Sequence, residues 1–206
     1  MDEYKIISHV GKGNFSVVSA AVNKKTNKKC AIKTYVRTDQ MEGYRIKSIQ
    51  SEVQNLFDLQ HENVITLKHA VRDGRKIQLI MENGGKQSLS GLLRKADHFD
   101  EESAKKYFKQ VVEGIAYCHS KNICHRDVKL ENILVDDKGK VKLIDFGFSA
   151  KCNENSKLTT VCGTPPYMSP ELAARMPYNG MSADIWALGV SLYLMLVGKF
   201  PFKANN

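Results

Sequence analysis

The spacing of apolar residues in this chain changes period near Glu82, and that change limits the architectures open to it. Before it, Tyr4–Gly11, Val17–Asn23 and Lys29–Val36 are short runs of β-branched and apolar residues between Gly-rich or Lys/Asn/Thr turns, a pattern that predicts strands. From about Tyr44 to Leu59 the spacing is helical, with Ile46, Ile49, Val53, Leu56, Phe57 and Leu59 mainly on one face. Leu67–Arg72 and Lys76–Glu82 predict two more strands, turning at Asp73-Gly74. Beyond Glu82 the pattern is mostly helical. Ser88 caps a short helix ending near Lys95. Asp100 caps a long one whose first turn carries Glu101 and Glu102, where the helix dipole favours negative charge. Its core face is Ala104, Phe108, Val111, Val112, Ile115 and Cys118. A small β pair, Ile133–Val135 and Val141–Ile144, is joined by Asp136-Asp137-Lys138-Gly139, and Ile185–Val197 predicts a buried helix. The order implies an α+β chain, a small β lobe over residues 1–82 and a helical lobe over residues 83–206.

At 206 residues, with 42% hydrophobic and 26% charged, the chain is large enough for two small lobes and too apolar for wholesale disorder. The net charge of +9 raises the question of nucleic acid. The basic residues are scattered, however, and the densest group, Lys24, Lys25, Lys28 and Lys29, surrounds a short turn; the expectation is a solvated loop and no nucleic-acid partner. Cys30, Cys118, Cys124, Cys152 and Cys162 form an odd set without a CxxC pair, which fits a reducing, cytoplasmic setting. Cys118 and Cys124 are too far apart for the usual structural zinc spacing. Met1-Asp2-Glu3-Tyr4-Lys5 carries charges where an apolar core would be needed, so no signal peptide is expected; Ile185–Val197 is short and interrupted by Gly189 and Ser191, so no membrane span is expected either.

Three segments carry chemistry. Val10-Gly11-Lys12-Gly13-Asn14-Phe15-Ser16-Val17-Val18 lies between two predicted strands, and its glycines let backbone N–H groups approach phosphates. A dinucleotide site requires a helix after such a loop; a strand follows here. The next strand holds Cys30-Ala31-Ile32-Lys33, and Lys33 beyond a glycine flap can hold phosphates if an acid fixes its ammonium, with Glu52 the candidate. The strongest segment is His125-Arg126-Asp127-Val128-Lys129-Leu130-Glu131-Asn132 followed by Asp145-Phe146-Gly147. An ATP phosphotransferase needs a carboxylate to orient the attacking hydroxyl, a cation near the γ-phosphate and oxygen ligands for magnesium. Asp127, Lys129, and Asn132 with Asp145 supply these residue types.

On these residues the chain resembles the eukaryotic protein kinase domain, and the resemblance runs from end to end. Thr164-Pro165-Pro166-Tyr167-Met168-Ser169-Pro170-Glu171 is similar to the family's motif after the activation loop, and Asp184-Ile185-Trp186-Ala187-Leu188-Gly189 through Pro201-Phe202 to its central helix and following turn. Lys129 with Gly163-Thr164 resembles the serine/threonine branch, and Thr160-Val161-Cys162-Gly163-Thr164-Pro165 the calmodulin-dependent and AMP-activated group.

The resemblance implies a bilobal fold, ATP and Mg2+ as cofactors, and proteins bearing serine or threonine as substrates. By it, Val18, Ala31 and Leu134 enclose the adenine, while the backbones of Glu82 and Gly84 bind its edge behind Met81. Asp127 orients the substrate hydroxyl, Lys129 offsets charge on the transferred group, and Asn132 and Asp145 hold the metal. His125, Phe146 and Leu56 stack inside the molecule. Thr160 occupies the activating phosphorylation position, served by an upstream kinase, with Arg126 as its partner. Departures are Ser16 for the third glycine, Ser88 where an acid is common, which bears with Glu131 on preference for basic substrates, and Ser169 for alanine. The family's large lobe continues past the point matched by Asn206, so a fragment with exposed apolar surface is expected. The rival readings are a pseudokinase that binds ATP without transfer and a basic nucleic-acid-binding protein.

Overall fold

The computed structural model describes residues 3–13, 16–36 and 43–202. Its first part is a five-stranded antiparallel sheet of β1 (Tyr4–Lys12), β2 (Ser16–Asn23), β3 (Lys29–Val36), β4 (Leu67–Asp73) and β5 (Lys76–Glu82), in the order β1-β2-β3-β5-β4. Helix α1 (Gly43–Asp58) runs between β3 and β4 in sequence and packs on the sheet. The period-two alternation of β3 buries Cys30 and Ile32 on one side. Lys33 and Tyr35 lie on the other side and are themselves buried.

The β4–β5 turn is Gly74-Arg75, not Asp73-Gly74, because Asp73 stays in the ladder opposite Lys76. Gly74 takes the left-handed backbone the turn requires, with φ at +55°. Two residues assigned to helical core faces are exposed: Phe57 in α1 and Val112 in the long helix. Each directly follows a buried neighbour, Leu56 or Val111, and one residue is about 100° of rotation.

Beyond β5, β6 (Gln87–Ser88) leads into α2 (Leu89–Ala96), where the Ser88 hydroxyl accepts the Gly91 N–H at 3.1 Å. Asp100 caps α3 (Glu101–Ser120) by accepting from Ser103 N–H at 2.7 Å. β7 (Ile123–Cys124) pairs with β10 (Ala150–Lys151), and β8 (Ile133–Val135) with β6 and β9 (Val141–Leu143). A short α4 (Pro170–Ala173) precedes α5 (Gly180–Val197).

Helix α5 begins five residues before the predicted Ile185, where Asn179 caps it by accepting from Ser182 N–H at 3.1 Å. With 18 residues it is long and apolar enough to cross a membrane by length and composition alone. Half of it is buried against the rest of the chain, and Ala187, Leu188, Val190, Leu194 and Met195 belong to the main core. Ile185, Tyr193, Leu196 and Val197 are exposed.

Segment 63–66 ties the two parts together. Asn63 O accepts from Leu143 N–H at 2.8 Å, Leu143 O from Ile65 N–H at 2.9 Å, and Thr66 O from Glu82 N–H at 3.0 Å. The end of β5 is thereby anchored to β9, and the main core cluster is continuous from Ile49 and Leu56 of α1 to Met195 of α5.

Candidate active site

Lys33 on β3 is the meeting point of three elements. Its Nζ lies 2.7 Å from Glu52 Oε1 of α1 and 2.7 Å from Asp145 Oδ1, which follows β9. Burial by itself would push the ammonium's pKa down, but the charges of Glu52 and Asp145 outweigh it and hold the pKa above its ordinary value. Asp145 behaves conversely: burial would raise its pKa, and Lys33, by charge and hydrogen bond, brings it below the usual value.

The loop between β7 and β8 is held from below by Asp184 of α5. This buried carboxylate accepts the backbone N–H groups of His125 and Arg126, each at 2.8 Å, and lies 2.9 Å from His119 Nε2. Arg126 and Asp145 both adopt left-handed backbone, with φ of 65° and 61°. Non-glycine residues hold that conformation only when their surroundings over-determine it. His125 is fully buried and packs edge-on against Phe146, with ring centroids 4.7 Å apart. Its Nδ1 accepts from Asp127 N–H at 3.2 Å, which leaves Nε2 as the donor to Ile144 O at 2.9 Å. His125 is thus a core residue that shapes the loop, and Leu56 is buried in the same core cluster as Phe146.

Asp127 sits in a closed network. Lys129 Nζ is 2.8 Å from Asp127 Oδ2 and donates to Thr164 Oγ1 at 2.7 Å; Thr164 Oγ1 donates to Asp127 Oδ1 at 2.7 Å. Asn132 Nδ2 donates to the Asp127 carbonyl at 2.9 Å and to Oδ2 at 3.0 Å, which leaves Asn132 Oδ1 as the end available to a metal. Gly163, at φ +103°, lets the chain pass so close that an added Cβ would stand 2.7 Å from Arg126 O.

At the edge of β5, Ala31 is paired with Met81, and Gly84 packs beside Leu134: a Cβ on Gly84 would meet Leu134 Cδ1 at 3.2 Å. Val18 is half-buried on β2 opposite Lys33. The Glu82 N–H donates to Thr66 O at 3.0 Å. Its side chain pairs with Lys142 at 2.5 Å. In the glycine loop, Gly13 N–H bonds Ser16 O at 2.8 Å, while Val10, Gly11 and Lys12 are exposed. Asn14 and Phe15 lie outside the described residues.

The proposed regulatory pair is connected through Tyr178. Arg126 Nη1 donates to the Tyr178 hydroxyl at 3.1 Å, and that hydroxyl donates to Thr160 O at 2.9 Å. Arg126 Nε also bonds Phe148 O at 2.6 Å. The Thr160 residue itself is exposed.

Three residues with evident roles here were not among the candidate site residues: Thr164, Asp184 and Tyr35. The first two stand in segments that resemble the family, so a signal existed for them. Tyr35, whose hydroxyl bonds Glu52 Oε2, stands in none.

A family model described as protein kinase domain matches residues 4–206. Among curated relatives, the serine/threonine-protein kinase SAPK2 of Oryza sativa is 36% identical over 205 residues, covering 98% of this chain and 59% of the relative. Serine/threonine-protein kinase SRK2C of Arabidopsis thaliana is 37% identical over 205 residues, with the same coverage of 98% and 59%. Probable serine/threonine-protein kinase MARK-A of Dictyostelium discoideum is 38% identical over 204 residues, covering 98% of this chain and 19% of the relative. The chain thus spans 59% of the first relative's length.

Proposed function

The chain belongs to the protein kinase domain family, and on that premise we propose that it transfers the γ-phosphoryl group of ATP to serine or threonine hydroxyls of protein substrates. The observation that carries this reading is the Lys33 ammonium, 2.7 Å from both Glu52 Oε1 and Asp145 Oδ1. A buried cation fixed by one acid and shared with a second is a ready partner for phosphate oxygens.

Asp127 is the group that receives the substrate hydroxyl and orients its oxygen. Lys129, already on the same carboxylate, stands where negative charge builds on the transferred group. Thr164 fixes the other carboxylate oxygen. Asn132 Oδ1 and the Asp145 carboxylate are hard oxygen donors of the kind magnesium takes together with phosphates, so these residues fit that ion. When bound, it neutralises phosphate charge; the protein's own contribution is positioning and a fixed field. Gly84, Leu134, Ala31 and Val18 supply the apolar slot for the adenine.

Regulation through Thr160 is part of the same proposal. Arg126 reaches the Thr160 segment through Tyr178, so a phosphate on Thr160 has a guanidinium nearby to pair with, supplied by an upstream kinase. The five free thiols fit a reducing, cytoplasmic location.

The test is transfer of label from ATP-Mg to serine- and threonine-containing peptides, with Asp127→Asn as control. Transfer that vanishes in the control supports the proposal. Tight ATP-Mg binding with no transfer, persisting when the assay is repeated with the rest of the family's large lobe restored, defeats it and leaves the pseudokinase; transfer that returns on restoring that lobe supports it.

A further inference from the structure

Building on the kinase reading above, we infer that Tyr35 is a positioning residue, whose hydroxyl holds Glu52 so that Lys33 stays directed at the phosphates of ATP. Lys33 and Tyr35 are two residues apart on β3 and therefore project to the same side, toward α1. Between them lies the Glu52 carboxylate, only 2% exposed. Its Oε1 accepts from Lys33 Nζ at 2.7 Å, and its Oε2 accepts from the Tyr35 hydroxyl.

This division of the two oxygens has a chemical consequence. An ionised carboxylate offers acceptor sites on both oxygens, and in a buried site each must be met. With Oε2 met by a neutral donor, Lys33 is not drawn inward to bridge both oxygens. Its ammonium remains shared with Asp145, on the side where phosphates bind. The Tyr35 ring forms the inner wall, with Lys33 Nζ 5.2 Å from its centroid. Burial, and then the Glu52 charge, push the Tyr35 phenol's pKa up, so the hydroxyl remains a donor at working pH.

A competing explanation is packing alone. Tyr35 lines the cleft between α1 and β4–β5 with Ile46, Ile49, Val53 and Ile77, and a phenyl ring would fill the same space. Tyr35→Phe separates the two, since it keeps the ring and deletes only the hydroxyl. Steady-state kinetics taken well below the melting midpoint should show kcat/KM for ATP reduced by about tenfold or more, the loss of a hydrogen bond to a charged group. In a Glu52→Gln background the same change should matter by less than about twofold, because Tyr35 acts through Glu52.

A Tyr35→Phe protein with kcat/KM within about twofold of wild type overturns the inference. So does a full loss repeated in the Glu52→Gln background. A chain that transfers no phosphate bears on the kinase reading alone. Amide exchange across α1 then decides the Tyr35 role, faster in Tyr35→Phe supporting it and unchanged opposing it.

Discussion

The Asp184 Oδ1 atom accepts the backbone N–H of Arg126 at 2.8 Å, and through that bond the buried helix α5 dictates the shape of the loop that carries Asp127. The second Asp184 oxygen accepts His125 N–H at 2.8 Å, so two consecutive amides of the loop end on one carboxylate. Arg126 holds a positive φ, a strained conformation that this partner helps to fix. Asp184→Asn turns one acceptor into a donor facing these amides. The expected cost is about 3 kcal/mol of stability, read as a lower denaturant midpoint at unchanged slope.

The Thr164 hydroxyl donates to Asp127 Oδ1 and accepts from Lys129, so it orients the carboxylate from the far side of the loop. Thr164→Val keeps the volume and removes both bonds. Transfer should fall about tenfold or more in kcat, with KM for ATP little changed, because the lost contact belongs to the reacting end of the site. Thr164→Ser, which keeps the hydroxyl, should retain most of the activity. Equal loss in both variants would count against the orienting role.

The Lys33–Asp145 pair sets a pH dependence whose sign follows from the shifts. Asp145's pKa lies below its usual 3.8 in the folded chain, so the carboxylate's contribution to stability is present above that value. It disappears as pH falls through the lower, folded value. Lys33 is held above its usual 10.5, so its contribution is complete below 10.5 and fades only at still higher pH. Melting midpoints of wild type and Asp145→Asn should therefore differ by a constant amount near neutrality and begin to converge below about pH 4. A gap that persists unchanged at pH 3 would show that the pair is not the source.

If Thr160 is the proposed switch, its phosphorylation should raise peptide transfer by about tenfold or more, through charge-assisted bonds from its phosphate to Arg126. Thr160→Ala should remain at the unphosphorylated level. Arg126→Ala should remove the response to phosphorylation. Equal rates for Thr160→Ala and the phosphorylated protein would defeat the switch.

Much of the site was legible because its chemistry is local. Asp127, Lys129, Asn132 and Asp145 fall within one short stretch, and the β8–β9 pair between them closes it through the Ile133–Leu143 register. The β5 end at Glu82, the Ser88 and Asp100 caps and the strand bounds at Lys29–Val36 were legible for the same reason: capping and alternation act over a few residues. Phe57 and Val112 were misassigned because a period read from composition does not decide where the apolar face ends. Packing decides that.

The sequence by itself determined which residue types could do chemistry, where strands and helices alternate, and that a carboxylate, an ammonium and a metal-ligating pair stand close along the chain. Only the tertiary structure decided which distant groups complete them. Lys33 meets Asp145 across 112 residues, Thr164 meets Asp127 across 37, and Tyr35 meets Glu52 between a strand and a helix. Such pairings leave little trace in local spacing, because they are fixed by how the β sheet, α1 and α5 pack around a shared core. Burial gives Glu52 and Asp127 their force: around these buried carboxylates an unmet oxygen is costly, and the arrangement that satisfies each is strongly favoured.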